Sequence, residues 1–220
     1  MFDVDGTLTA TDRVDTECYV RAMSEHLGAA VDGDWSRHRH VTDSGIAAEL
    51  FERHRRAAGE VSVVRRRFVE LLERALRSRP ESCRQVEGAT DFLARVRRSG
   101  GWLAGLATGG WGASARSKLR RAGVDVRGLP FASADDAESR VDIMATCLKG
   151  AAAGRPGDVA EVVYVGDGPW DARAARELRW RFIGIGETIR SVRERAGDTY
   201  PVFLDSRDAE PVMAAAAGAG

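Results

Sequence analysis

Lysine is nearly missing from this 220-residue chain: Lys118 and Lys149 are the two present, and the other 31 basic residues are arginines. Net charge is missing too, since 33 Lys and Arg balance 33 Asp and Glu. Without a basic excess there is little to displace counterions from a polyphosphate, so a nucleic-acid partner is not expected. No apolar run approaches the roughly 18 to 20 residues that a spanning helix needs, so no membrane partner is expected either. The opening residues do not follow the basic, apolar, small-residue succession of a secretory signal, and a cytoplasmic location is expected. Cysteine is also sparse. Cys18, Cys83 and Cys147 are odd in number and lack metal-like spacing, which favours reduced, packed thiols over a disulfide framework.

What is present has globular character, 44% hydrophobic and 30% charged, and the length suits one domain with a substantial insert. A short apolar start, Met1 to Val4, runs into Asp5-Gly6-Thr7-Leu8 and reads as a strand ending in a turn. From Val14 the period changes: Val14, Cys18, Tyr19, Ala22, Met23 and Leu27 fall on one helix face, closed by Gly28. A second helical run covers about 44 to 57. A third carries Val64, Phe68, Leu71, Leu72, Ala75 and Leu76 and ends near Pro80, so residues 13 to 85 read as all-helical. Beyond Gly88, helices at about 88–99, 113–122, 139–152 and 171–178 alternate with apolar runs at 102–107, 130–133, 162–165 and 182–185. A weaker last strand covers 202–204, and the Ala and Gly tail from Ala214 is expected to fray. Short, continuously apolar strands between helices indicate an α/β fold with a doubly wound parallel sheet. The helical block is then an inserted all-helical cap (13–85) on a core made of 1–12 and 86–220.

In such a sheet, ligands bind at the carboxyl ends of the strands. Three strands end in candidate loops: Asp3-Val4-Asp5-Gly6-Thr7-Leu8, Leu106-Ala107-Thr108-Gly109-Gly110, and Val165-Gly166-Asp167-Gly168-Pro169-Trp170-Asp171. Asp3 and Asp5 can turn toward one site where the strand ends, and two carboxylates divide nucleophile and proton-carrier roles when their environments separate their pKa values. A calcium loop of the EF-hand type needs Gly at its sixth position and Glu at its twelfth, where the chain has Leu8 and Val14. A hydroxyl with free backbone N–H groups at a helix start, as at Thr108-Gly109-Gly110, suits a phosphoryl dianion. Gly110-Trp111-Gly112-Ala113-Ser114-Ala115 also fits a dinucleotide fingerprint, but that reading leaves both acidic motifs unexplained.

These three motifs, in this order, resemble the haloacid dehalogenase superfamily, specifically its phosphatase branch with a helical cap after the first motif, as in phosphoglycolate phosphatase and β-phosphoglucomutase. The resemblance covers nearly the whole chain. It implies that Asp3 attacks phosphorus to give an aspartyl phosphate while Asp5 protonates the leaving alcohol and then activates water. It also implies that Thr108, Gly109 and Gly110 hold the phosphoryl group, and that Mg2+ is bound by Asp3, Asp167, the Asp5 carbonyl and Asp171, the last as ligand or orienter. The family usually supplies a lysine ahead of the fourth-motif strand; the best match here is Arg140, a permanently charged residue able to bridge carboxylate and phosphate.

Lys149 is expected to face solvent, and Lys118 lies on the helix after the second motif. In the cap, the run Arg37-His38-Arg39-His40 either meets the leaving group or is a solvated surface before a helix capped by Asp43 or Ser44. Trp111 and Trp170 either wall the site or pack in the core. Met1 and Phe2 alone stand ahead of Asp3, so either the true start lies upstream or the first strand is abbreviated, and an abbreviated strand would place the nucleophile near a fraying end. The expected activity is Mg-dependent hydrolysis of a small phosphate monoester, by a monomer or homodimer. The alternatives are a phosphomutase, or an impaired member that binds a phosphorylated ligand without turnover.

Overall fold

The computed structural model describes residues 1–153, 159–207 and 209–218. After the first motif, Thr9–Ala10 (β1) leads into three helices, Asp12–Leu27 (α1), Asp43–Arg53 (α2) and Val61–Ser78 (α3), and the chain returns through Arg84–Gln85 (β2). There follow Ala89–Arg98 (α4), Leu106–Ala107 (β3), Gly112–Arg121 (α5), Phe131–Ala132 (β4), Arg140–Ala152 (α6) and Val163–Gly166 (β5). Pro169–Glu177 (α7), Arg181–Ile185 (β6), Glu187–Ala196 (α8), Val202–Phe203 (β7) and Ala209–Ala217 (α9) complete the order.

The main sheet is parallel throughout: β3 pairs with β4, β5 with β6, and β6 with β7. Phe2 joins the two halves. Its N–H donates to the Gly105 carbonyl and its carbonyl accepts from Ala107, while Asp3 N–H donates to Val165 O and Val165 N–H to Met1 O, all at 2.9 Å. The abbreviated first strand is therefore the middle of the sheet, bonded on both sides, and does not fray. Side chains alternate between the faces as a pleat requires. Val163, Val165 and Ile183 enter one apolar cluster with Phe92, Leu93 and Leu119, whereas Tyr164 and Phe182 enter the other with Ile143 and Met144. With both faces covered, the fold is a doubly wound α/β core carrying a helical cap.

Within the cap, the stripes read from the sequence are the buried ones. Val14, Cys18, Tyr19, Ala22, Met23 and Leu27 of α1 pack with Val64, Phe68, Leu71, Leu72 and Leu76 of α3. Each Val, Leu, Met or Phe among them contributes roughly 1.5–3 kcal/mol when fully buried. Gly28 ends α1 in the left-handed conformation (φ 68), donating its N–H to Ser24 O. α2 stops at Arg53, short of Ala57, because Arg55 turns the chain through φ 54. Its N-cap is Thr42, whose Oγ1 accepts from Gly45 N, so neither Asp43 nor Ser44 caps it. The block is not wholly helical, since β2 pairs antiparallel with β1 (Thr9↔Gln85, Ala10↔Arg84) and closes the base of the insert. The tail does not fray over 214–217 either: Ala216 and Val212 bury one face of α9 against the core, while Ala219 and Gly220 lie outside the described residues. All three cysteines are buried and unpaired.

Candidate active site

Because the strands are parallel, Asp3, Thr108 and Asp167 emerge at one edge of the sheet, and α6 and α7 start there with Arg140 and Asp171 in their first turns. They converge on a cavity of about 280 Å³ whose far wall comes from α1 and from the loop before α2. Arg140 is largely buried at its wall. Its Nη1 lies 2.8 Å from Asp171 Oδ1 and 3.4 Å from Asp3 Oδ1, and its Nη2 donates to the Val41 carbonyl at 3.0 Å. Neither carboxylate oxygen is aligned for a hydrogen bond, so both keep lone pairs free in spite of the ion pairing. Asp171 also closes the first turn of α7, accepting the Gly168 N–H through Oδ2 at 3.0 Å. It does not reach the cavity wall.

Burial pushes the Asp3 carboxyl up to about 7, opposed by Arg140 and reinforced by Asp171 and Asp5. Burial also raises Asp167 well above the usual range, with Asp12, Asp171 and Asp3 adding repulsion. One guanidinium does not offset this density of negative charge. Oxygens of Asp3, Asp167 and Asp171 lie within 4.8 Å of one another, and the unbonded, buried Asp3 Oδ1 is among the atoms available there. An all-carboxylate set of this spacing fits a hard divalent cation such as Mg2+ and would lose its mutual repulsion on binding one.

Gly6 is part of that arrangement. It sits at φ +69, and a Cβ there would stand 2.0 Å from Asp167 Oδ2. Gly6→Ala is therefore expected to displace the Asp167 carboxylate and weaken Mg2+ binding roughly 10- to 100-fold, the range for changes that reorient a ligand. Titration calorimetry with Mg2+ checks it, and unchanged affinity would remove Asp167 from the cation site.

Thr108 is buried, and its Oγ1 accepts from Gly110 N at 3.2 Å, which leaves the hydroxyl proton to donate into the cavity. The N–H groups opening α5 are not free as the sequence suggested. Trp111 N–H donates to Asp43 Oδ2 (2.7 Å) and Gly112 N–H to Asp135 Oδ2 (3.2 Å). Gly109 is needed for close approach, since a Cβ there would meet Arg140 Nη2 at 2.3 Å.

The cap loop contributes differently from expectation. Arg37 pairs with Asp34 and Asp32 at the surface, and His38 is buried beside Glu49, while Asp43 lines the cavity. Trp111 is core, 1% exposed and donating through Nε1 to Ser44 Oγ, whereas Trp170 lines the cavity.

Sequence reasoning missed Lys118, Asp12 and Asp15. Lys118 is wholly buried, its Nζ 2.6 Å from Asp5 Oδ2 and bonded also to Asp15 Oδ1. The signal was present: Lys118 follows Ala115 by three on the inward stripe of α5, and Asp15 precedes Tyr19 by four on that of α1. Lys149, by contrast, is exposed as expected.

Several solved structures share this fold. A hydrolase from Pseudomonas syringae is 18% identical with a TM-score of 0.73, over 96% of this chain and 95% of its own. β-Phosphoglucomutase from Clostridium difficile is 14% identical with a TM-score of 0.71, over 99% and 96%. CbbY from Rhodobacter sphaeroides, solved in complex with phosphate, is 20% identical with a TM-score of 0.69, over 94% and 93%. Among curated proteins, none matches the chain significantly in sequence. The family model for haloacid dehalogenase-like hydrolases matches residues 1–179, spanning all three acidic and hydroxyl-bearing loops as well as the cap between them. On that match, and with the loops meeting at one edge of a doubly wound sheet, the chain belongs to the haloacid dehalogenase-like hydrolases.

Proposed function

We propose that the protein is a Mg2+-dependent phosphatase of small phosphate monoesters, with residues 13–85 as cap and 1–12 with 86–220 as catalytic core. The observation that carries this reading is the convergence of Asp3, Asp167 and Asp171, with Arg140 paired to the first and last of them, beside Thr108. Asp3 and Asp167, with the Asp5 carbonyl, would hold the metal, and Asp171 orients Arg140. When bound, the cation supplies positive charge to the phosphoryl oxygens and to the carboxylates around them.

An Asp3 oxygen attacks phosphorus as the ester P–O bond breaks, and Asp5 gives its proton to the departing alcohol oxygen. The phosphoryl group then rests on Asp3. Water next attacks phosphorus while the Asp5 carboxylate takes its proton, releasing inorganic phosphate and restoring Asp3. Arg140 and the Thr108 hydroxyl hold the equatorial oxygens in position, which is most of what phosphoryl transfer asks of a protein.

The cap-side wall supports hydrolysis over mutase chemistry. It presents Asp12, Asp15 and Asp43, and Arg140 is the sole Lys or Arg among the described residues lining the cavity. A bisphosphate or a phosphorylated carboxylic acid would set its second anion against those carboxylates. A neutral or amine-bearing alcohol would not. Phosphate release over a panel of monoesters, with Mg2+ or with excess chelator, tests the reading. Release that falls by ~100-fold or more on chelation and favours neutral or cationic leaving groups is expected. Chelator-resistant turnover, or none on any ester, would overturn it.

A further inference from the structure

Lys118 carries a charge where an apolar side chain would cost less. Taking an ammonium out of water costs several kcal/mol, and replacing a buried ion pair by packed apolar groups is often neutral or better for stability. The residue is 0% exposed on α5, and the other buried Lys or Arg among the described residues is Arg140. Desolvation works to lower its pKa, but Asp15 and Asp5 outweigh it and keep the ammonium protonated. A compact point charge fits between two carboxylates where a planar guanidinium fork is wider than needed.

Lys118 is not on the cavity wall, and its contact with the proposed chemistry runs through Asp5 alone. Asp5 is gripped at both oxygens. Oδ1 accepts from Thr11 Oγ1 at 2.5 Å, Thr11 being tied in turn to Thr9 Oγ1 at 2.8 Å, and Oδ2 accepts from Lys118 at 2.6 Å. This fixes where Oδ2 points. A Cβ built on Gly110 would stand 3.6 Å from Asp5 Oδ2 and 3.7 Å from Thr108 Oγ1, so the oxygen faces the turn that receives the phosphoryl group. Asp15, the other partner, belongs to α1, so the same ammonium links the acid on the core to the first cap helix.

We propose that Lys118 is a positioning residue for Asp5, holding its carboxyl at the leaving-group side of the phosphoryl site through an ammonium shared with Asp15. This rests on the phosphatase reading, in which Asp5 passes its proton to the departing alcohol. A leaving group that needs a proton depends on that placement; one that departs as a stable phenolate does not.

The experiment compares kcat/KM for an alkyl phosphate and for p-nitrophenyl phosphate, a ratio that isolates the steps up to release of the alcohol. Lys118→Met is expected to lower kcat/KM for the alkyl ester by ~100-fold or more, the size of a general-acid contribution, and for p-nitrophenyl phosphate by less than about tenfold. In an Asp5→Asn background the same substitution should leave the ratio of the two esters unchanged. Equal losses on both esters, or a shifted ratio in the Asp5→Asn background, would overturn the proposal. Should Lys118→Met fail to fold, Lys118→Met/Asp15→Asn removes one charge of each sign and carries the same test. Wild-type inactivity on every ester would fail the phosphatase reading itself, and is distinguished from failure here by the p-nitrophenyl phosphate control.

Discussion

Asp3→Asn is expected to lower phosphate release by ~10⁴-fold or more, because an amide oxygen at that position forms no stable acyl phosphate and removal of a nucleophile typically costs at least that much. The fold should survive. Asp3 N–H, which donates to Val165 O, is backbone and unaffected, and the side chain is close to isosteric. A second readout separates lost chemistry from lost structure. Burial holds the Asp3 carboxyl at about 7 in the folded metal-free protein, above its unfolded value of 3.8, so the folded state binds the proton more tightly than the unfolded chain. Ionised Asp3 therefore opposes folding. That opposition is fully present above the folded pKa and fades as pH falls toward the unfolded one, so metal-free wild type should gain thermal stability from pH 8 to pH 5. Asp3→Asn should lessen this slope, to which the raised carboxyls of Asp12, Asp15, Asp43 and Asp167 also contribute, and should melt higher than wild type at pH 8. Turnover that survives the substitution would end the nucleophile assignment.

Arg140→Met should produce the next largest loss, ~100-fold or more in kcat/KM, since it removes the preorganised charge nearest the transferring group. It should also destabilise the protein by roughly 3–5 kcal/mol, because Asp171 and Asp3 lose the cation that compensates their burial. The carbonyl of Val41 loses its donor as well, and with it one tie between the cap loop and the core. Arg140→Lys distinguishes charge from shape. An ammonium does not span Asp171, Asp3 and Val41 together, so it should restore stability more fully than turnover. Steady-state kinetics with denaturant unfolding of both variants would decide this, and wild-type kinetics in Arg140→Met would return that residue to a structural role.

How much of this was legible in the sequence differs by feature. The parallel sheet was, because Val162 to Val165 is apolar without alternation, as a strand covered on both faces must be. The cap helices were, because α1 and α3 keep a 3.6-residue stripe for their full length. The loops at the strand ends were also visible, since Asp3, Thr108 and Asp167 each follow an apolar run directly. The alliances among side chains were not. Asp43 reads as a helix cap until Thr42 is seen to take that place and Trp111 N–H to reach Asp43 instead. Lys118 and Asp15 sit on different helices, and only the packing of cap on core brings Asp15 within bonding distance of the ammonium that also holds Asp5. The scarcity of lysine was the available hint. Where arginine is the default cation, a lysine on an inward stripe marks a place that a broader cation does not suit.

The pairing of Phe2 has a consequence for how the molecule assembles. Met1 N donates to the carbonyl of Val163, a contact 162 residues long, and the other neighbour of the Phe2 segment is β3, beyond the whole cap. During synthesis the segment that carries Asp3 emerges ahead of both flanking strands and waits for them. Contacts this distant are slow to form, because the loop-closure entropy must be met before they contribute anything. The cap, whose helices are sequential, needs no such delay. The protein should therefore acquire a folded cap early and its nucleophile's setting late, so that a chain arrested short of β5 would contain Asp3 and still lack an active site.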